Sequence, residues 1–250
     1  MKKLFVILLA GIIALSLVSC LPSGENKTEF LLPAVVNRGS IPSLLTALDE
    51  FIAPTLVSSE LKNGDCILAY FVVDHDNQPQ GSSHFQVSEL SYGIMGKNVA
   101  EIRDDFDKTD IFNDTDFFID DFLPIQALTP QLYHPRLGGN FFLIFEHSVP
   151  EGQSIEYFAI VDESVDESIN VYLIAKKANE KDDQNISRRI IHAIDMRDII
   201  NELGTDTTIE GVPVKELKFD IQYCTGVNNE DGNYIPAYKE HKDIKLSILK

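Results

Sequence analysis

Alternation of apolar and polar residues along short runs is the feature that most restricts the fold of this chain. In Leu217–Tyr223 every second residue is apolar, and Ile244–Ile248 repeats the pattern near the C-terminus. Side chains of a β-strand point alternately to the two faces of its sheet, so a period of two predicts strands with one buried face. The polar run Asn228–Asn233 has the composition of a turn, and the two runs are therefore predicted to pair as a hairpin.

Most of the remaining chain has the same β character. Three segments rich in β-branched and aromatic residues are bounded by turn formers and are predicted to be strands: Asn140–Phe145, Ile155–Asp162 and Ile169–Ala175. In the N-terminal half, a polar turn separates the apolar run Gly64–Asp74 from a returning strand, Ser82–Ile94. These patterns predict an all-β protein.

The returning strand changes its alternation partway along. Phe85 and Val87 share one parity, whereas Leu90, Tyr92 and Ile94 share the other. A shift of one residue would move every side chain to the opposite face of the sheet. A β-bulge near Glu89 is therefore predicted, because the extra residue restores one common face.

Two other segments deserve separate interpretation. Ser43–Ile52 fits either a helix or a kinked edge strand, because its apolar spacing is helical while prolines, Pro42 and Pro54, flank it. A short helix is predicted over Met196–Leu203, since Asp195 can cap its start and Gly204 supplies a stop. This is the one strong helical signal in the chain.

The N-terminus has the pattern of a secretory signal. Two lysines precede the apolar run Leu4–Val18, which is short for a membrane-spanning helix, since spanning needs about 20 apolar residues. The run ends in Leu17-Val18-Ser19-Cys20, which resembles a bacterial lipobox. The resemblance implies cleavage before Cys20 and acylation of its thiol with chains such as palmitate, whereas the alternative is an ordinary signal followed by a chance cysteine. We expect a lipoprotein of the cell envelope, anchored to the outer membrane and facing the periplasm or the cell surface.

The net charge of the chain restricts the classes of partner that it can bind. The chain has a formal net charge of −18, and without residues 1–19 the 19 remaining basic residues face 39 acidic ones, a charge of −20. Such a surface repels nucleic acid, which is not expected as a partner. The sequence contains no nucleophile elbow, zinc-binding helix motif or phosphate-binding loop, and we expect no cofactor and no metal.

Four weaker patterns allow specific chemistry. Asp74, Ser82 and His84 flank one turn and could be drawn as a catalytic triad, although hairpins often bring such residues together by chance. The segment 105–116 spaces its oxygens as an EF-hand does, but aspartates replace the required glycine and glutamate. A solvated acidic linker is therefore the better interpretation, with four phenylalanines as docking side chains: Phe106, Phe112, Phe117 and Phe118.

Thr207 lies in a short sequence that resembles a bacterial O-glycosylation acceptor. Cys66 and Cys224 could form a disulfide, but both lie in core-like runs, which favours two buried free thiols.

Six parts of the chain together have a pattern that resembles a known family: residues 61–71, the hairpin that follows, and residues 91–99, 141–161, 169–178 and 192–203. The first three look like the OB-like domain of the NigD-like lipoproteins of Bacteroidetes, and the other three are similar to the C-terminal β-sandwich of that family. The resemblance implies a strand pair in the 43–56 region. It assigns no catalytic residue.

We therefore predict an OB-like small barrel followed by a β-sandwich, with one short helix. The predicted segments are a signal peptide, a flexible leash, the OB-like domain, an acidic linker running into the second domain and the sandwich: 1–19, 20–29, 30–103, 104–121 and 122–250. The predicted function is that of a non-catalytic binding or accessory module, held to the membrane through Cys20, for a protein, peptide or glycan partner. The alternative is an unrecognised envelope hydrolase.

Overall fold

A computed structural model of the chain describes residues 26–103, 106–108, 112, 119–132, 134–162, 169–179, 184–230 and 233–250. The signal segment and Cys20 lie outside the described residues. The chain divides into two compact units, a first unit that ends at Met95 and a second unit that begins at Gly96. The predicted all-β class is confirmed, because strands dominate and the described residues contain a single α-helix.

The first unit is one five-stranded antiparallel sheet. Its strands are β1 (Lys27–Asn37), β2 (Ser43–Leu45), β3 (Glu50–Ile52), β4 (Cys66–Asp74) and β5 (Val87–Ile94), arranged in the order β3-β2-β1-β4-β5. The predicted hairpin of the N-terminal half is confirmed as β4 and β5. The ambiguous segment forms the β2–β3 pair rather than a helix, as the family resemblance implied.

The sheet curls around an aromatic core but does not close. Phe51 and Phe71 lie with ring centroids 4.8 Å apart, and Phe30 stacks on Phe71 at 5.0 Å. The edge strand β3 is bridged through Ile52 to Gln86, the residue that precedes β5. The predicted OB-like barrel is therefore an open one, whose seam is joined at one end.

The second unit contains two sheets. Its elements are β6 (Gly96–Val99), β7 (Glu101–Ile102), β8 (Ala127–Leu132), β9 (Asn140–Pro150), β10 (Ile155–Asp162), β11 (Ile169–Lys177), β12 (Asn185–Asp195), α1 (Arg197–Leu203), β13 (Thr205–Ile209), β14 (Val212–Glu230) and β15 (Asn233–Leu249). One sheet has the order β6-β12-β9-β8. The other has the order β13-β14-β11-β10-β7, and β15 pairs with β14.

The two sheets pack face to face as the predicted β-sandwich. Phe141 of β9 and Phe219 of β14 come from opposite sheets and meet edge to face, with ring centroids 6.0 Å apart. The core between the sheets also contains inward side chains of β10, β11 and β12. The predicted C-terminal hairpin is confirmed as β14 and β15, and it is much longer than its two alternating runs.

The predicted helix is confirmed as α1. It begins one residue later than predicted, because the N-cap residue is Met196 rather than Asp195, and Met196 has no side-chain cap. The side chain of Asp195 accepts a hydrogen bond from the backbone N–H of Arg197 at 3.1 Å. Gly204 ends the helix, and its N–H donates to the carbonyl of Ile200. Among the described residues, no helix is long and apolar enough to cross a bilayer.

The described residues around the predicted acidic linker belong to the second unit. Residues 96–102, which the sequence assigned to the first domain, form β6 and β7 and pair in parallel with β12 and β10. Most of 104–121 lies outside the described residues. Phe106 and Phe112 are described, and both pack against a cluster on the outer face of the larger sheet. Of the four phenylalanines predicted to dock, Phe106 and Phe112 therefore do so, with the ring centroid of Phe106 lying 5.0 Å from that of Tyr172. The other two, Phe117 and Phe118, lie outside the described residues.

Candidate binding surface

Strand β5 begins with a bulge that sets the direction of its side chains. Val73 pairs with Val87 and Val72 pairs with Glu89, so Ser88 is the extra residue. The hydroxyl of Ser88 donates to the carbonyl of Val72 at 3.1 Å. The bulge predicted near Glu89 is thereby confirmed, and it returns Leu90, Tyr92 and Ile94 to the face that Val87 occupies.

The inner face of β5 becomes progressively exposed along the strand. Val87 is 4% exposed, Tyr92 41% and Ile94 71%. The directly paired residue of Ile94 on β4 is Ile67, which is fully buried. The apolar inner face of the sheet is thus covered at β4 and uncovered at β5, where the seam of the barrel opens.

The outer face of the same strands is acidic. Glu29 and Glu89 are both paired with Val72, which places two carboxylates in one row across three strands. Tyr70 lies in the adjacent row of this face, and a hydrogen bond to Glu29, followed by desolvation and the charges of Glu29 and Glu89, raises its pKa. An incoming strand beside β5 would therefore meet apolar side chains on one face and the carboxylate of Glu89 on the other.

The backbone of β5 offers a free edge. One edge of the strand pairs with β4, and beyond the bridge at Gln86 no described strand pairs with the other. Edge strands present N–H and C=O groups that can accept a further strand. The sequence of Glu89–Ile94 contains neither lysine nor proline, the residues that commonly block such edges.

The aromatic residues Tyr70, Tyr92, Tyr157 and Phe85 do not form one exposed face on which a sugar ring could stack. Tyr157 is 1% exposed in the core of the second unit. Tyr70 and Tyr92 are exposed on opposite faces of the first sheet, because Tyr92 pairs with Ala69 rather than with Tyr70. Phe85 packs edge to face against His75, with centroids 5.2 Å apart.

The hairpin triad does not assemble. The carboxylate of Asp74 accepts hydrogen bonds from the Asp76 N–H and the Asn77 amide, which it uses to stabilise the turn. The hydroxyl of Ser82 donates to the carbonyl of His84 at 2.5 Å. The nearest carboxylate to the imidazole of His84 belongs to Asp49, at 4.0 Å. These contacts hold a loop in place, and they do not align a nucleophile with a base.

Two histidines of the second unit form a buried polar cluster that the sequence did not reveal. Since a carbonyl only accepts, His147 Nδ1 donates to the Pro124 carbonyl at 3.0 Å, and Nε2 then accepts from the Tyr157 hydroxyl at 3.0 Å. His192 Nε2 lies 2.6 Å from the Asn98 amide oxygen, and its ring packs 4.6 Å from that of Tyr157. Burial lowers the pKa of both imidazoles to about 4. The cluster is therefore neutral and serves the packing of the sandwich.

The other predicted sites are placed as follows. Cys66 and Cys224 are buried and are not joined by a disulfide, as predicted, and burial raises the pKa of Cys224 to about 11. Thr207 is exposed in β13, where its modification stays a prediction. The calcium-like segment lies mostly outside the described residues, and within the described part no three carboxylate, imidazole or thiol groups are placed to hold a metal.

Comparison with known proteins identifies the fold. Sequence models of protein families give no match, and neither do curated proteins. An uncharacterized protein from Parabacteroides merdae is similar over 88% of this chain and 100% of that one, with a TM-score of 0.67 and 17% identity. A putative toxin-related protein from Parabacteroides distasonis is similar over 86% and 93%, with a TM-score of 0.51 and 10% identity. At these identities the likeness shows the two-unit all-β fold alone.

A NigD-like immunity protein from Bacteroides caccae is also among the similar structures. It matches 87% of this chain and 96% of its own, with a TM-score of 0.45 and 10% identity. The names of these three proteins describe an uncharacterized, a toxin-related and an immunity protein, and none describes an enzyme.

Proposed function

We propose that the chain is a lipid-anchored recognition module of the cell envelope, without catalytic activity of its own. The single observation that supports recognition best is the open seam of the first unit, where the apolar inner face and a backbone edge of β5 are both exposed. Exposed apolar strips beside an unpaired edge are typical of surfaces that bind another chain.

The histidines support the non-catalytic part of the proposal by what they contact. His75 bonds to the Thr28 hydroxyl at 2.9 Å, and His241 donates to the Leu128 carbonyl at 2.9 Å. His147 and His192 are held inside the sandwich, and His134 accepts from a backbone N–H of its own turn. These imidazoles stabilise turns and core contacts, whereas a general base needs a substrate within reach.

The anchor is proposed from the sequence. Cys20 follows an apolar run and a small residue, and two or more acyl chains would hold the protein stably in a bilayer. Replacing Cys20 by serine should release the protein from membranes, with Cys66→Ser as the matched control that stays bound. Retention of the Cys20→Ser protein in the pellet after a carbonate wash would refute the anchor.

The recognition role is tested with the purified full-length chain. We expect partners to be captured from envelope extracts and expect no turnover of esterase, glycosidase or peptidase substrates. The double variant Tyr92→Lys with Ile94→Lys should reduce capture, since both side chains lie on the exposed inner face of β5. Turnover that is lost in Ser82→Ala or His84→Ala, with no partner captured, would favour the hydrolase.

A further inference from the structure

The edge of β5 differs from that of β15, a long strand at the margin of the second unit. β15 lies at the margin of the six-stranded sheet and carries Lys239, Lys242 and Lys245. Lysines on a margin discourage pairing with other chains, because burying them in a growing sheet is unfavourable. Glu89–Ile94 has one charged residue, Glu89, and the bulge that could interrupt pairing lies before it, at Ser88. Six regular residues therefore stay open to pairing.

The two faces of β5 specify the side chains that an added strand would need. Side chains in neighbouring strands line up in rows on each face. On the inner face a new strand would continue the rows of Leu90, Tyr92 and Ile94, which call for apolar residues at every second position. On the outer face it would continue the single row of Glu29 and Glu89, which favours a basic residue opposite Glu89. The other two outward residues of β5, Ser91 and Gly93, carry no charge.

Charge excludes a second copy of this chain as the preferred occupant. The first unit has three basic and eight acidic residues over 26–95, a net charge of −5, and two copies would bring like charges together. Like charges across a strand pair are destabilising. A cationic segment, in contrast, gains electrostatic attraction on approach and on docking.

We propose that strand β5 binds an extended peptide segment in which basic and apolar residues alternate, and that this segment adds to the free edge as a sixth strand. Main-chain hydrogen bonds along Glu89–Ile94 supply sequence-independent affinity, while the alternating side chains supply specificity. The apolar side chains cover Tyr92 and Ile94, and the basic ones approach Glu89. The inference rests on the proposed recognition role and names the class of partner for it.

The test uses a labelled ten-residue peptide of alternating valine and lysine, with binding to the full-length chain measured by fluorescence anisotropy. We expect saturable binding that the double variant Tyr92→Lys with Ile94→Lys weakens by about tenfold or more. The matched control changes Tyr234→Lys and Ile235→Lys, two residues of β15 that are 40% and 36% exposed, and should alter binding less than about twofold. Unchanged urea midpoints show that each variant is folded.

Two further peptides separate backbone pairing from simple charge attraction. In a valine–lysine peptide, alternate amide nitrogens point to the same edge, so methylation of one set removes the hydrogen-bond donors of one edge. The peptide methylated on the edge that faces β5 should not bind, and the peptide methylated on the opposite edge should still bind. A valine–glutamate peptide should not bind. Glu89→Lys should weaken valine–lysine binding about fivefold at low salt, whereas Glu230→Lys in the second unit should not.

Each opposite result overturns the inference. β5 does not pair with the peptide if the two methylated peptides bind equally well. The same conclusion follows if the valine–glutamate peptide binds as tightly as the valine–lysine peptide, or if the Tyr92→Lys with Ile94→Lys variant binds as tightly as the unchanged chain. A dimer of the chain that Tyr92→Lys dissociates would make a second copy the occupant. If the valine–lysine peptide does not bind but a captured partner contacts another surface, the inference fails while the recognition role stands.

Discussion

Acidification from pH 7.5 to pH 5 probes the buried imidazoles of the second unit. Burial lowers the pKa of His147 to about 4 despite a hydrogen bond to Pro124, with Arg188 adding to the effect, and burial also lowers the pKa of His192 to about 4. In the unfolded chain both imidazoles titrate near about 6.5. Between these values the unfolded chain binds protons that the folded unit does not, so the free energy of unfolding falls as the pH falls.

The size of the effect follows from the same pKa values. At pH 5 the unfolded imidazole is almost fully protonated, while the folded imidazole is mostly neutral. The resulting loss is about 2 kcal/mol for each histidine and about 4 kcal/mol for the pair, relative to pH 7.5. Below about pH 4 both states are protonated, and this contribution to the pH dependence ends.

The assay is urea unfolding at pH 7.5 and pH 5, followed through the NMR signals of β9 and β12. In His147→Gln the loss of unfolding free energy on acidification should shrink by about 2 kcal/mol. The matched control His75→Gln lies in the first unit and should leave the loss unchanged. The reasoning is refuted if the imidazole of His147 or His192 titrates at pH 6 or above in the folded protein, or if His147→Gln shows the full loss.

Three other predictions concern local contacts. Arg38 donates to four carbonyls around the short 3-10 helix Pro54–Ser58. Arg38→Ala should therefore lower the free energy of unfolding of the first unit by about 2–4 kcal/mol, measured in urea. The surface control Arg189→Ala should lower the free energy of unfolding by less than about 1 kcal/mol. A Cβ on Gly96 would lie 2.6 Å from the His192 ring, so Gly96→Ala should lower the melting temperature, whereas Gly93→Ala, with open space, should not. The buried Cys224, whose pKa is raised to about 11, should react with a thiol reagent at pH 8 only after unfolding, and fast labelling of the folded protein would contradict its burial.

The sequence revealed those parts of the fold that have a local signature. Both hairpins follow from alternating runs separated by turn residues, and the bulge at Ser88 follows from the change of parity between Val87 and Leu90. The helix α1 follows from Asp195 and Gly204. In each case the residues that signal the element lie within a few positions of the element itself in the sequence.

Features that depend on distant segments were not visible in the sequence. The open seam arises because β3 is three residues long and bonds only to the segment just before β5, at Phe85 and Gln86. The buried cluster requires His147 and His192 to meet Tyr157 across the sandwich, although nothing in their own neighbourhoods distinguishes them. The candidate surface was therefore predictable as a loosely defined OB-like face, but the particular edge was not.

The strands β6 and β7 show the same limit at the domain boundary. They have four and two residues, and they pair in parallel with β12 and β10, which lie far along the chain. Parallel pairing between distant segments has no hairpin signal. The sequence therefore placed the first domain at 30–103, whereas the compact units divide between Met95 and Gly96.

Fragments of the chain distinguish the two divisions. A fragment that begins at residue 104 lacks β6 and β7, and it loses the buried Ala100, the Lys97 ion pair with Asp195 and the amide that contacts His192. We expect its free energy of unfolding to be about 3 kcal/mol or more below that of the fragment 96–250, because the His192 imidazole loses its hydrogen-bond partner inside the sandwich. Urea unfolding of both fragments measures the difference, and fragments ending at 95 and 103 serve as the control pair, which should unfold alike. If the fragment from residue 104 is as stable as the longer one, β6 and β7 do not support the sandwich and the boundary lies in the acidic segment.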